Sequence, residues 1–150
     1  MSLALFIAQG FGSGRLKPAP GTWGTLAGWL VFHWAGFATW GAWMLIVCAG
    51  AFALGVWACG QAGRELGAAD HGSLVWDEVV AIWLVLTFVP NEFWSQLLAV
   101  LVFRFFDIAK PQPIRYFDAK WKTGFGVMWD DLLAAGYVLL VLALWQRLFG

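Results

Sequence analysis

Apolar and polar positions along this chain fall into long blocks rather than alternating residue by residue. Five blocks are almost purely apolar, and they cover residues 22–37, 41–60, 74–89, 93–108 and 132–148. Blocks of this length are typical of helices, and a helix that crosses a bilayer needs about 20 apolar residues. Several blocks are shorter than that. We therefore expect the flanking charged turns to continue the helices and to place acidic residues slightly below the headgroups.

Short turns connect these blocks in pairs. Residues 38–40 separate the first two blocks, and Pro90-Asn91-Glu92 separates the third from the fourth. The short first turn predicts one helical hairpin, in which Gly55 and Gly60 permit close helix packing. In the second turn, a proline followed by polar residues stops the helix, which predicts a second hairpin. The pattern predicts an all-α fold. We expect one compact membrane-embedded domain over residues 1–150, with about five apolar helices joined by short hairpin turns.

Composition supports an integral membrane protein. The chain is 61% hydrophobic and 12% charged, and residues 18–63 contain no Asp, Glu, Lys or Arg. A formal net charge of zero argues against a general nucleic-acid binder. Cys48 and Cys59 lie in an apolar block and are interpreted as buried hydrophobes, with neither a disulfide nor a metal. The first residues lack the basic region and cleavage site of a signal peptide, so we expect them in the mature protein.

The basic residues predict an orientation. If the five blocks alternate across the membrane, all but one of the basic residues share a side: Arg15, Lys17, Arg64, Arg104, Lys110, Arg115, Lys120 and Lys122. Arg147 is the exception. Because positive residues favour the cytoplasmic side, that side is predicted to face the cytoplasm. Most of the acidic residues lie on the same side, and Glu92 lies on the other.

Two adjacent acidic pairs flank apolar blocks. Asp77-Glu78 stands directly before the run VVAIWLVLTFV, and Asp130-Asp131 stands before the last block. An ionised carboxylate at membrane depth is costly unless it is paired, which makes these residues candidates for function. Neighbours on a helix diverge by about 100°, so we expect one member of each pair to face a site, Asp77 more readily than Glu78. Hard oxygen ligands on separate helices suit Mg²⁺ together with a phosphate. The alternative is solvated loop charges.

A third charged group precedes a predicted helix end. Arg104, Asp107 and Lys110 recur every three residues, so they share one helix face, and Pro111 predicts that the helix ends there. The cations would neutralise a bound phosphate. The alternative is an ordinary helix end, with Arg104 and Lys110 reaching lipid headgroups and Asp107 as their counter-ion.

Two glycine-containing segments offer backbone donors. Residues 10–25 approach the first apolar block, where Thr22 or Thr25 could cap the helix and its N-terminus favours a phosphate. This segment is not a P-loop, because no Gly-Lys-Ser/Thr follows at the required spacing. In the second segment, Gly124 and Gly126 could let backbone and carboxylates crowd around a metal. Both segments are equally compatible with flexible turns.

The histidines and Ser73 point to no other chemistry. His33 is interpreted as a packed or helix-pairing residue within an apolar block. His71 could act as an acid or base beside Asp77 and Glu78, but an interfacial loop histidine is equally compatible. Ser73 has no clear base partner and is better interpreted as a helix cap.

Taken in order, these motifs amount to a family resemblance. GFGSG, PGTWGTLAG, DHGSLVWDE, FRFFDIAKPQPIRYFD and GFGVMWDDLLAAGY closely resemble phosphatidylglycerophosphatase A, a bacterial inner-membrane lipid phosphatase family, over residues 10–137. The resemblance implies a helical bundle and Mg²⁺-dependent conversion of phosphatidylglycerophosphate to phosphatidylglycerol in phospholipid biosynthesis. One departure is Thr123-Gly124, where the family often has two glycines.

Carried over motif by motif, the resemblance also implies roles for individual residues. The acidic centre implied by it comprises Asp77, Glu78, Asp107, Asp130 and Asp131, and its phosphate partners are Arg104, Lys110 and Arg115. We hypothesise that a subset of the acids holds Mg²⁺, that water attacks in line, and that Asp77, Asp107, Asp131 and Lys110 are catalytic.

Two alternatives remain at this stage. The same centre could hydrolyse a different membrane lipid phosphate, or the chain could be a small ion transporter, for which acids should be distributed through the membrane depth. The residues leave open whether one or two metals bind. No nucleophile motif of the haloacid-dehalogenase type is present, which favours direct attack by water over a phosphorylated aspartate.

Overall fold

The computed structural model describes residues 2–16, 20–67, 74–109, 111–112, 114–120 and 123–149, with backbone alone for residues 117–119. These residues form helices and no strand, which confirms the all-α prediction. The α-helices are α1 (Leu3–Ala8), α2 (Pro20–Trp34), α3 (Trp43–Leu66), α4 (Trp76–Thr87), α5 (Phe93–Ala109), α6 (Ile114–Lys120) and α7 (Gly124–Phe149). Gly10–Arg15 and Phe37–Thr39 form short 3-10 turns.

Each predicted apolar block corresponds to one helix, namely α2, α3, α4, α5 or α7, but α7 begins well before residue 132. Its first turn is capped by Thr123, whose hydroxyl accepts a hydrogen bond from the Gly126 amide at 3.2 Å. No proline interrupts the sequence after that point. Asp130 and Asp131 therefore lie in the second turn of a 26-residue helix, which confirms for α7 the expectation that a flanking charged segment continues the helix.

The central helix of the fold is α4, which packs against α2, α3, α5 and α7. Nine of its 12 residues are buried, and they include Trp83, whose indole nitrogen donates to the Gly28 carbonyl at 2.8 Å. Although α2 and α3 are joined by a short turn, α2 packs mainly on α4, and α3 packs on α7, α1 and α4 rather than on α2. The predicted first hairpin is therefore wrong as a packing unit, because α4 lies between its two helices.

Glycines allow the helices to approach closely. A Cβ at Gly28 of α2 would lie 3.1 Å from the Val79 Cα of α4. On the other side of the fold, a Cβ at Gly124 of α7 would lie 2.1 Å from the Val56 carbonyl oxygen of α3, and Gly124 also packs against Gly60. Small residues therefore bring α2 onto α4 and α7 onto α3.

Two of the described helices are long and apolar enough to cross a membrane by length and composition, α3 and α7. They have 24 and 26 residues, or about 36 and 39 Å, against a hydrocarbon thickness of about 30 Å. In contrast, α4 is about 18 Å long, since it starts only at Trp76. The expectation that flanking charged turns would lengthen this helix is wrong, because Leu74 and Val75 are not helical.

The cysteines lie where their apolar surroundings predict. Cys48 and Cys59 of α3 are both buried. They contribute to the hydrophobic core together with residues of α4 and α7. Their interpretation as small buried hydrophobes is confirmed.

Candidate active site

Carboxylates from two helices meet at one end of α4. Asp77 and Glu78 occupy the first turn of α4, and Asp131 comes from the second turn of α7. One oxygen from each of the three lies within 4.8 Å of the others. Asp77 is 8% exposed and Asp131 only 2%. The Oδ2 atom of Asp131 is buried without a hydrogen-bond partner in the described part of the chain.

Both members of the first acidic pair face this cluster. The expectation that either Asp77 or Glu78 would point away is wrong, because the longer Glu78 side chain reaches back across the helix surface that separates the two residues. The second pair does diverge. Asp130 is buried, but none of its oxygens belongs to the set formed with Asp131.

A third helix, α5, closes the cluster with a cation and a further acid. Arg104 forms ion pairs with Asp107 on its own helix and with Glu78 of α4, the latter with 3.7 Å between Nη1 and Oε1. Asp107 is buried and lies within hydrogen-bonding reach of Asp131. The Arg104 side chain is only 17% exposed. Its guanidinium therefore points into the acidic cluster rather than outward to lipid headgroups.

The first turn of α2 lies directly against this ion pair. A Cβ at Gly21 would be 2.7 Å from Glu78 Oε1 and 3.0 Å from Arg104 Nη1. Sequence reasoning did not identify Gly21 as part of the site. The sequence does contain a pattern that indicates its role: Gly21, Gly24 and Gly28 recur at the three- and four-residue spacing of one helix face, which is typical of close helix packing.

Neither threonine of this region caps α2. The helix begins at Pro20, a residue well suited to a first turn, so Thr22 and Thr25 both lie inside it. Thr25 is fully buried, and its hydroxyl donates a hydrogen bond to the Gly21 carbonyl at 2.9 Å. This hydroxyl is therefore not available for the role that the sequence predicted, donation to a phosphate. Thr22 is half-buried one turn earlier in the helix. The capping prediction is therefore wrong for both residues.

The two glycine-containing segments have structural roles. The turn Gly10–Arg15 contains left-handed backbone at Gly10, Phe11 and Gly12 and packs on Val75, whose amide donates to the Ala8 carbonyl at 2.8 Å. This segment supports the start of α4. The predicted metal-binding turn at Gly124 and Gly126 is wrong, because both residues are helical and Gly124 packs against α3.

Other predicted site residues lie elsewhere. Arg115 is exposed on α6 and forms no ion pair with any described acid. His33 is exposed and lines a cavity between α2 and α5, so its interpretation as a packed histidine is wrong. Lys110, His71 and Ser73 lie outside the described residues, and so does Lys17.

The cluster has the chemistry of a divalent-cation site. Like charges buried this close repel one another, and Arg104 compensates only part of the negative charge. The oxygens around one Mg²⁺ at 2.0–2.1 Å would be about 3 to 4 Å apart, so Asp77, Glu78 and Asp131 need only a small contraction to share such an ion. These three residues are the described ones best placed to hold it.

Sequence comparison places the chain among lipid phosphatases. The model of the family described as Phosphatidylglycerophosphatase A matches residues 6–146. A Haemophilus influenzae protein with that name is 47% identical over 140 residues, which cover 90% of this chain and 83% of the relative. An Escherichia coli protein with the same name is 40% identical over 129 residues, covering 85% and 74%.

A third relative has a different name. A Bacteroides thetaiotaomicron protein, provisionally named a phosphatidylinositol-3-phosphatase, is 35% identical over 155 residues, which cover 99% of this chain and 96% of the relative. No solved structure matches the chain significantly.

Proposed function

Because the chain belongs to the phosphatidylglycerophosphatase A family, we propose that it hydrolyses phosphatidylglycerophosphate to phosphatidylglycerol and inorganic phosphate in phospholipid biosynthesis. One observation carries this proposal at the level of chemistry. Buried carboxylates from α4, α5 and α7 converge with Arg104, an arrangement suited to a phosphomonoester and a metal ion.

We further propose that the enzyme depends on Mg²⁺, held by Asp77, Glu78 and Asp131 with Asp107 beside them. The spacing of the three oxygens and the unpartnered Oδ2 of Asp131 support this proposal. A bound Mg²⁺ would polarise the phosphoryl group and a water molecule. Asp130, the remaining acid of the predicted centre, is buried next to Asp131 in the sequence of α7.

The protein side chains orient and neutralise the substrate. The Arg104 guanidinium binds the phosphate oxygens, and its ion pairs with Glu78 and Asp107 hold the guanidinium in place. Water attacks phosphorus and the bond to the glycerol oxygen breaks, with one proton of the water ending on that oxygen and the other remaining on the phosphate, so that the products are the lipid alcohol and hydrogen phosphate. Lys110 and Arg115 remain predicted partners of the phosphate.

We propose that the protein spans the bacterial inner membrane several times, with this centre at the cytoplasmic face. The apolar surfaces of α3 and α7 and the distribution of basic residues support this orientation. A single-cysteine variant tests it: in a background with Cys48→Ala and Cys59→Ala, Arg64→Cys, exposed near the C-terminal end of α3, should react with an impermeant maleimide in inverted vesicles and not in right-side-out ones. The opposite labelling would overturn the orientation.

The function itself is tested by phosphate release. Purified protein should release phosphate from phosphatidylglycerophosphate in the presence of Mg²⁺, and Asp77→Asn, Asp107→Asn and Asp131→Asn should each lower kcat/KM about 100-fold or more. Glu92→Gln is the matched control, since Glu92 is an exposed acid at the other end of α4 and α5. Unchanged activity in all three aspartate variants would contradict the acidic centre.

A second candidate function is hydrolysis of another lipid phosphomonoester. The Bacteroides thetaiotaomicron relative favours this alternative, because its provisional name refers to an inositol lipid phosphate. Competition between phosphatidylglycerophosphate and phosphatidylinositol 3-phosphate in mixed micelles separates the two. The better substrate is the one with the larger kcat/KM.

A further inference from the structure

A cavity of about 580 Å³ opens between α2 and α5, away from the acidic cluster. Its lining is mostly apolar, with Leu26, Trp29 and Leu30 from α2 and Phe93 from α5. Three polar residues, His33, Asn91 and Gln96, line the end that is farther from the acidic cluster. None of these residues contributes to the proposed hydrolysis.

The far end of the cavity is closed by contacts between its two walls. The indole nitrogen of Trp29 donates to Gln96 Oε1 at 2.8 Å, and the Trp29 and Phe93 rings stack with their centroids 5.6 Å apart. Gln96 is itself buried and bonds to Asn91. We call these contacts of Trp29 with Gln96 and Phe93 the floor of the cavity.

Both walls continue from this floor to the acidic cluster. On α2, Thr22, Leu26, Trp29 and His33 follow one another at four-, three- and four-residue steps, so one helix face runs from the first turn into the cavity. Gly21, which touches the Glu78–Arg104 pair, precedes Leu30 by nine residues, or about 13 Å.

The α5 wall has the same length. Arg104 follows Gln96 by eight residues, or about 12 Å along the helix. The cavity with its floor at Trp29 and the ion pair at Arg104 therefore lie between the same two helices, both of which pack on α4.

We propose that the space between α2 and α5 forms one trough from Arg104 to the floor at Trp29, and that this trough holds one acyl chain of the lipid whose phosphate binds at Arg104. The inference rests on the proposed function, because a lipid phosphomonoester joins an anionic head and an apolar chain in one molecule. A depth of about 12 to 13 Å is close to half of the hydrocarbon thickness of about 30 Å, so the trough matches the chain of a lipid in one leaflet. Since the surrounding lipid is equally apolar, the trough orients the substrate more than it strengthens its binding.

A substitution that fills the trough tests this proposal. Leu30→Trp adds bulk beside the floor, and Leu45→Trp is the matched control, because both leucines are about half exposed and Leu45 lies on α3 outside the cavity. The probes are phosphatidylglycerophosphate with two palmitoyl chains and its dihexanoyl analogue. We expect Leu30→Trp to lower the ratio of kcat/KM for the long to the short lipid about tenfold, and Leu45→Trp to leave this ratio unchanged.

An unchanged ratio in Leu30→Trp, or an equal loss with both lipids, would overturn the acyl-chain trough while leaving the proposed function intact. A wild-type protein that hydrolyses neither lipid would overturn the proposed function instead. Crosslinking remains informative in that case: a palmitoyl lipid phosphate with a diazirine at its chain end should label α2 or α5 near Trp29, and less so in Leu30→Trp. Labelling confined to α3 or α7 would overturn the trough.

Discussion

Arg104 and Glu78 form an ion pair between α5 and α4, with 3.7 Å separating Nη1 from Oε1. The same guanidinium contacts Asp107, so one cation compensates acids on two helices and still presents N–H groups toward the cluster. This relationship makes the shape of the arginine side chain, beyond its charge, important for the site.

Arg104→Lys is therefore expected to impair catalysis despite conserving the charge. A lysine ammonium lacks the planar fork that can hold Glu78, Asp107 and a phosphate together. We expect kcat/KM for phosphate release to fall about 100-fold, which corresponds to about 2.7 kcal/mol. Arg147→Lys, exposed near the end of α7, serves as the control. Wild-type kinetics in Arg104→Lys would contradict the shared role of the guanidinium.

Asp131→Asn should raise the thermal stability of the metal-free protein and reduce the stabilisation that Mg²⁺ gives. Without Mg²⁺ the neutral amide relieves repulsion among the buried acids, so Tm in detergent should rise relative to wild type. Wild-type protein should gain about 2.7 kcal/mol at a Mg²⁺ concentration 100 times its Kd, and the variant should lose most of this gain.

The measurement is thermal unfolding of both proteins in EDTA and over a Mg²⁺ titration, with Glu92→Gln as a charge-matched control. A Mg²⁺-dependent rise in Tm that is equal in wild type and Asp131→Asn would rule out Asp131 as a ligand.

Gly21→Ala should lower activity without unfolding the protein. Its Cβ would lie 2.7 Å from Glu78 Oε1 and 3.0 Å from Arg104 Nη1, both atoms at the ends of flexible side chains, so the ion pair must shift while the backbone stays in place. We expect at least a tenfold loss of kcat/KM with little change in Tm. Gly50→Ala in α3 is the control, because a Cβ there meets nothing within 4 Å. Equal activity in the two variants would refute the close approach of α2.

Gly124→Ala should instead destabilise the fold. The added Cβ would lie 2.1 Å from the Val56 carbonyl oxygen, a backbone atom that moves only if α7 separates from α3. Overpacking of this kind costs about 1 to 3 kcal/mol. The control on the same helix is Gly136→Ala, which has open space around its Cβ. Chemical unfolding in mixed micelles measures the difference, and a Gly124→Ala protein as stable as Gly136→Ala would argue against this packing.

The sequence predicted the positions of the helices better than it predicted which helices pack against each other. Long apolar blocks and short polar turns located α2, α3, α4, α5 and α7, because backbone hydrogen bonding makes the helix the natural state of such blocks. The blocks are apolar on nearly every side, so their patterns contain little information about which faces meet. For this reason the central position of α4 was not foreseen.

The acids that converge at the candidate site were predicted in part, and the geometry that brings them together was not. Acids at the ends of separate blocks were expected to converge, and Asp77, Glu78, Asp107 and Asp131 do lie together around Arg104. The inward direction of both Asp77 and Glu78 depends on side-chain rotamers, which spacing does not determine. The start of α7 at Gly124 depends on the Thr123 cap and on contact with α3, a long-range interaction.

The second-turn position of Asp131 in α7 has a consequence for biosynthesis. Ribosomes deliver α4 and α5 first, with three of the clustered acids and Arg104, whereas the remaining ligand arrives on the last of the described helices. A nascent chain that has inserted everything before α7 lacks Asp131 and therefore holds only three of the four clustered acids. Under the proposed role of Asp131, hydrolysis begins only after α7 has packed on α3 and α4.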